Sequence, residues 1–245
     1  QITLLQCLER VWKNKYGSFG GSKHIAEFIN NSNRLTDYVS YMVLRKHDIS
    51  KRAKTIHFFI EAAENCRKIN NFSAMTAIIS ALASSPIHRL RKTWSLINDE
   101  SRQRLDLMNK MMNPKRNFYE YREMVKYVTG VPCVPFVGVY LTDLTFIANG
   151  TPDYLNGDPN VINFYKRSKM ESIISNILAF QAISYSFKRV ESIQEFIIKG
   201  FKEYPSPDSQ YQISLSLDPR ESASSQLNNI NALRAAKLNT KITDS

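Results

Sequence analysis

Along most of the chain, apolar residues return every three or four positions, the period of a helix with one buried side. Between 54 and 69, Ile56, Phe59, Ile60, Ala63 and Cys66 fall on one face. A second stretch carries Met75, Ile78, Ile79 and Leu82, with Ser73 as its expected N-cap and Pro86 as its expected stop. Leu105, Met108 and Met112 repeat at the same spacing as far as Pro114. Phe118, Tyr121, Val125 and Val128 carry the period on to Gly130, a residue suited to the position after a helix. Farther along, Met170, Ile173, Ile174, Ile177 and Leu178 form one stripe, and Val190, Ile193, Phe196 and Ile197 form another before Gly200.

Two stretches break this pattern. "GVPCVPFVGVYLTDLTF" (130–146) sets two prolines and two glycines among apolar and β-branched residues, and is expected to be a buried, extended connector. A polar loop, "IANGTPDYLNGDPN", follows it. "YQISLSLD" (211–218) alternates with period two and fits a strand or a short helix equally well. From Ser222 the chain is polar and small, as in a linker or tail. No repeat of 20–50 residues is present. The pattern predicts an all-α domain over residues 1–221 and a tail over 222–245.

Composition narrows the classes. With 43% hydrophobic residues, 245 residues can bury a sizeable core. No apolar run is long enough to span a bilayer, and the start has no secretory pattern. The absence of an initiator methionine suggests a piece of a longer protein. Three widely spaced cysteines, Cys7, Cys66 and Cys133, suit a reducing compartment and buried thiols. A net charge of +11 predicts attraction to an acidic partner without choosing which.

The motifs of bond chemistry are missing. There is no G-x-x-x-x-G-K-[ST] and no G-x-G-x-x-G, so the chain brings no phosphate cradle of its own. The four histidines never fall at H-E-x-x-H spacing and no C-x-x-C occurs, so neither a metal nor a cofactor is expected. His57 and Asp143, each among apolar neighbours, read as satisfied structural groups. The basic runs "HRLRK" (88–92) and "KRSK" (166–169) lack interleaved aromatics. Nucleic acid is therefore not the expected partner.

Three segments, in order, carry a family resemblance. The first is "NNFSAMTAIISAL" with "SSP", "RL" and "TW" after it, inside residues 50–94. The second is "PCVPFVGVYLTDLTF" (132–146) followed by "GTPDYL". The third is "INFYKRSKM" (162–170). Together they resemble the catalytic domain of Ras-type guanine-nucleotide exchange factors, the family of Son of sevenless and the fungal Ras activators.

The resemblance implies an all-helical bowl with a projecting helical hairpin. It also implies an activity without covalent chemistry: binding a Ras-like small GTPase, preferably nucleotide-free, to release GDP and admit GTP. Helix 163–181 then corresponds to the inserting helix, part of whose stripe would pack on the hairpin's second helix. Ile173 is the apolar residue directed at the magnesium site of the GTPase. Asn176 stands where well-studied members carry a glutamate that mimics phosphate. Arg52 corresponds to an arginine facing the GTPase, and Asn70 and Asn71 to a pair near the surface for its second switch. Phe164 marks where the hairpin leaves the core, and Lys166 and Arg167 form a basic base open to an acidic GTPase. Phe164 and Asn71 fit structural support of that surface equally well, and Arg89, Leu90, Thr93 and Trp94 fit packing. A non-catalytic GTPase-binding or scaffold module is the alternative that Asn176 leaves open. The N-terminal helix looks shortened around residues 5–7, and the helical module that braces the hairpin in many members is not seen. The implied location is the cytoplasm, with recruitment to the inner face of the plasma membrane or endomembranes through the lipid-anchored GTPase.

Overall fold

All regular elements among the described residues are helical, and two isolated β-bridges, Asn71 with Val134 and Tyr154 with Ile162, are the strand-like pairings there. The structure is a computed structural model that describes residues 2, 3, 7, 23–128 and 130–219. The tail expected over 222–245 and the doubtful segment at 5–7, except Cys7, lie outside the described residues.

The centre is α3 (Phe72–Ala83), whose Phe72, Met75, Ala77, Ile78, Ile79, Ala81 and Leu82 are all buried. A helix apolar on most sides belongs inside, and α3 lies between α1 (Lys23–Leu44) and α2 (Ile49–Lys68). Small hydroxyls line the α1–α3 seam. Thr36 donates to the Ala77 carbonyl at 3.1 Å and Ser40 to that of Ala81 at 3.4 Å, which lets the two backbones approach closely. Ser73, expected to cap α3, is instead buried within its first turn. The cap is Asn71, whose Oδ1 accepts from Ala74 N at 3.0 Å. Pro86 does not sit in α3; it opens the short α4 (Ser85–His88), which α5 (Arg91–Trp94) follows.

Helix α6 (Asp99–Met111) is capped by Asn98 and carries Asp99 and Glu100 in its first turn, where the helix dipole favours acids. Then comes α7 (Tyr119–Val125). The connector expected to be extended through 146 is extended only as far as Phe136. From there the chain forms α8 (Val137–Gly150). Val137, Tyr140, Leu141, Leu144 and Ala148 are buried along one face of it, and Val139 is buried off that face. Val139 and the exposed Phe146 place apolar residues off that face and blur its period, while burial of the face outweighs the weak helix propensity of the β-branched residues.

After α8 come α9 (Phe164–Ala179), α10 (Glu191–Gly200) and α11 (Pro207–Leu217). The ambiguous "YQISLSLD" lies in α11. Its period misleads because the inward positions are polar: Gln210 donates to the carbonyls of Asp37 and Pro205, and Ser214 is held by Arg89. Helix α10 buries none of its residues. Its end rests on α1, where Phe201 meets the Tyr38 ring edge-on at 5.8 Å. Gly200 lies so near that ring that any Cβ would collide with it.

Candidate functional site

Five of the sequence-marked residues, Phe164, Lys166, Arg167, Ile173 and Asn176, lie on α9. Its N-cap is Asn163, buried, with Oδ1 accepting from Lys166 N at 3.3 Å and Nδ2 donating to Pro152 O at 3.0 Å. Met170, Ile174 and Ile177 are buried, while Ile173 and Leu178 are half-buried against the same core. This stripe packs on α8, and α10 is not among the helices that pack closely against it. The expected partnership with a second hairpin helix is thus replaced by α8, the helix hidden in the supposed connector. Phe180 continues the contact, its ring 5.9 Å from that of Tyr140 on α8.

Facing outward on α9 are Phe164, 78% exposed, and Tyr165, Arg167 and Asn176. Ile173 stands at the edge of this face rather than at its crest. Asn176 is exposed and contributes its carbonyl to the amide of Phe180 at 3.4 Å, within the helix ladder.

Lys166, expected on the open basic base, is 1% exposed. Its ammonium donates to Ala148 O at 2.9 Å and Thr151 O at 2.7 Å, and lies 3.1 Å from Asp153 Oδ1. The C-terminal carbonyls of α8, at the negative end of that helix, draw the cation inward. Arg167 remains at the surface and shares Asp153 Oδ1 at 3.0 Å.

Arg52, expected to face the partner, is 3% exposed. Its guanidinium donates to Lys46 O at 2.8 Å, His47 O at 3.1 Å and Thr93 Oγ1 at 2.8 Å, fastening the α1–α2 turn to α5. Burial lowers its pKa, and the negative charges of Asp218 and Asp48 oppose that shift.

Asn70 and Asn71 are half-buried and hold the connector. Asn70, at φ 61, takes the left-handed turn that ends α2, a conformation asparagine tolerates better than most residues. Its carbonyl accepts from Val134 N at 3.0 Å, and Val134 O accepts from Ser73 N at 3.2 Å. The Tyr185 hydroxyl, in the segment after α9, donates to Ile69 O at 2.6 Å. The asparagine pair therefore underlies the surface beside α9. Arg89, Thr93 and Trp94 make the packing contacts expected of them: Arg89 donates to Ser214 O and Asp218 O, and Trp94 Nε1 to Ile87 O at 3.0 Å. In the same region His88, Arg91 and Lys92 are exposed around a groove of about 1010 Å³.

Under α9 and α8, Tyr121 accepts from Phe136 N at 2.8 Å and stacks edge-on with Phe72 at 5.7 Å. Burial raises the pKa of Tyr121, pushes Tyr140 up to about 12 and pushes the Cys133 thiol up to about 11. All three cysteines are free thiols. No cluster of three metal-ligating side chains occurs among the described residues. Nor is any helix there long and apolar enough to cross a membrane. The arrangement is that of a mount presenting a helix face.

A model of the RasGEF domain matches residues 1–168. The chain belongs to the RasGEF domain family. Cell division control protein 25 of Candida albicans is 51% identical to it over 223 residues, 91% of this chain and 17% of that protein. Cell division control protein 25 of Saccharomyces cerevisiae is 43% identical over 247 residues, 100% of this chain and 16% of that protein. Guanine nucleotide exchange factor SDC25 of the same yeast is 46% identical over 230 residues, 90% of this chain and 18% of that protein. The chain thus spans about a sixth of the length of these relatives. The RasGEF match ends at Ser168, so Phe164, Tyr165 and Arg167 lie within it and Ile173 and Asn176 beyond it.

Four residues that hold α9 and its surroundings in place were not singled out from sequence: Asp153, Asn163, Gln181 and Tyr185. Asn163 carried a signal, an asparagine three residues ahead of the first buried position of a helix. Asp153, in a polar loop, and Gln181 and Tyr185 carried none, because their partners are backbone groups or residues distant in sequence.

Proposed function

We propose that this RasGEF domain accelerates nucleotide release from a Ras-like small GTPase, with α9 as the element that acts on the nucleotide site. The observation that carries this reading is the family match over residues 1–168. The names of the relatives, one of them a guanine nucleotide exchange factor, point the same way.

The physics is linkage. A factor that binds the nucleotide-free GTPase best must weaken nucleotide by the same factor as nucleotide weakens it. A binder indifferent to the two states shifts nothing. In this proposal the α9 face meets the switch segment, an order–disorder element, and displaces it together with the magnesium. Ile173 offers the metal no ligand, and Asn176 offers an amide oxygen in place of a carboxylate. An amide lacks the charge assistance of a carboxylate, so its electrostatic push is the weaker one. The fold supports this use of α9 by fixing both of its ends while leaving Phe164, Arg167 and Asn176 exposed. No bond is made or broken, so no general acid, base or cofactor is assigned.

A second reading, a GTPase-binding module without exchange activity, is favoured by one observation, the uncharged Asn176. Release of a fluorescent guanine nucleotide from a panel of purified Ras-like GTPases separates the two. Acceleration of at least one supports exchange. Binding with the spontaneous rate throughout supports the scaffold. In either case we place the domain in the cytoplasm, brought to a membrane by a lipid-anchored partner.

A further inference from the structure

The basic cluster at the start of α9 poses an electrostatic problem. Lys166 and Arg167 lie in the first turn, where the helix dipole is positive and a cation is unfavourable. A solvated lysine would relieve this by extending into water. Lys166 does the opposite and turns inward, to 1% exposure.

An ammonium has three N–H donors. Those of Lys166 meet three acceptors: Ala148 O, Thr151 O and Asp153 Oδ1. The first lies in α8, the second is its C-cap, and the third sits in the loop leading to α9. The same Oδ1 takes Arg167, and Asn163 N donates to the Asp153 carbonyl at 2.9 Å. Two helices of opposite terminal polarity are thus joined through one buried cation and one bridging carboxylate. A buried, fully satisfied charge has a single arrangement that satisfies it, so it fixes geometry.

We propose that Lys166 and Asp153 are a positioning pair for nucleotide release, setting the angle at which α9 leaves α8. This rests on the exchange reading above. The lever is long enough to matter. Ile173 lies about 10 Å along the helix axis from Lys166, at 1.5 Å per residue. A tilt of about 10° at the root moves it by about 2 Å, while a misplacement near 1 Å can cost as much as about a hundredfold in a positioned reaction. The pair touches neither nucleotide nor metal in this scheme; it acts through Ile173 and Asn176. The carboxylate of Asp153, 44% exposed, makes the pair accessible to substitution without opening the core.

The test uses the chain with a GTPase that responds to it, following fluorescent GDP release over a range of GTPase concentrations. Asp153→Asn keeps the size and loses the charge; kcat is expected to fall about tenfold with KM changed less than about twofold. Asp153→Glu is expected to restore kcat to within about threefold of the parent. The melting temperatures of all three proteins should agree within about 2 °C, the shift from less than 1 kcal/mol. A merely structural residue would lower kcat only together with stability. Lys166→Met should reproduce the kcat loss if it folds, and the Asp153 pair carries the test if it does not. Unchanged kcat in Asp153→Asn overturns the proposal, as does a rise in KM at constant kcat, which would put Asp153 in the docking surface. If the parent chain leaves every GTPase at its spontaneous rate, the exchange reading falls and this one falls with it. An active parent with a fully active Asp153→Asn removes the positioning pair alone.

Discussion

Gln181 closes a two-bond ring with the main chain of Ile2: its Oε1 accepts from Ile2 N at 2.8 Å, and its Nε2 donates to Ile2 O at 3.0 Å. The two residues are 179 positions apart, and the ring clasps the segment just past α9 to the start of the chain. Beside it a cavity of about 350 Å³ is lined by Ile2, Phe28, Ile177 and Phe180. The helix is therefore held at its root by Lys166 and at its far end by Gln181. Gln181→Ala is expected to lower stability by about 1–2 kcal/mol, two hydrogen bonds of ordinary net worth. Hydrogen exchange checks the location, since amides 177–181 should lose protection while those of α3 keep theirs. Equal loss in both would mean the ring stabilises the whole fold and does not act as a local clasp.

Ile173→Asp tests the face of α9. Ile173 is half-buried, so the substitution is not silent for the fold. A carboxylate at that edge should cost about 1–2 kcal/mol, within the usual range for a single substitution. The protein should stay folded at 25 °C while nucleotide release falls at least about tenfold, which is more than 1.4 kcal/mol of barrier. Circular dichroism and release kinetics on one sample separate these effects. Loss of the helical signal together with activity would assign Ile173 to the core alone.

Asn176→Glu restores a charge at an exposed position of the same face. No acidic neighbour opposes it within one turn in either direction, since positions 172, 173, 179 and 180 are Ser, Ile, Ala and Phe. Release is expected to stay equal or rise by up to about tenfold, the value of one charge-assisted hydrogen bond. A large fall, measured with the same GTPase, would show that α9 presents a different register to its partner.

How far these residues were legible depends on where their partners lie. The central α3 and the stripe of α9 were readable because their burial is one-sided or complete, and periodicity reports that directly. Helix α8 was not, because Val139 and the exposed Phe146 put apolar residues off its buried face while prolines at 132 and 135 suggest extension throughout. Asn176 lies on the outer side of the expected helix and Ile173 at its edge, half-buried against the core. Arg52 and Lys166 did not face outward, for a common reason. Each is a cation beside backbone carbonyls at or just past a helix end, those of 46 and 47 for the first and of 148 and 151 for the second. Those carbonyls exist as acceptors only once the helices have ended in space, and nothing in the local sequence of a lysine or arginine announces them.

Arg52→Met tests that inversion. The substitution keeps the stem and removes the guanidinium, leaving Lys46 O and His47 O without their donor and Thr93 Oγ1 without its partner. Loss of buried hydrogen bonds from a charged donor is expected to cost about 3 kcal/mol. Release activity per folded molecule should be unchanged, because Arg52 is an interior fastening. Denaturant titration gives the first quantity, and release normalised to folded fraction gives the second. A protein of parental stability with impaired release would return Arg52 to the partner-facing surface.

Alkaline pH should loosen the floor beneath α8 and α9. The folded pKa values of Cys133 and Tyr140 are raised, to about 11 and about 12 from ordinary values of 9.0 and 10.0, with burial as the leading cause for both. A raised pKa in the folded state means that the unfolded chain releases its proton first. The stabilisation is then complete below about pH 9 and is lost as pH climbs through 11 and 12. A shift of two pKa units on a single group is worth about 2.7 kcal/mol, about 2 of it lost between pH 9 and 11 for Cys133, so the fall there should be visible in chemical unfolding. Cys133→Ala should lower stability at pH 7 by removing buried atoms, yet flatten the slope between pH 9 and 11. A slope unchanged by that substitution would assign the alkaline transition to the tyrosines Tyr140 and Tyr121.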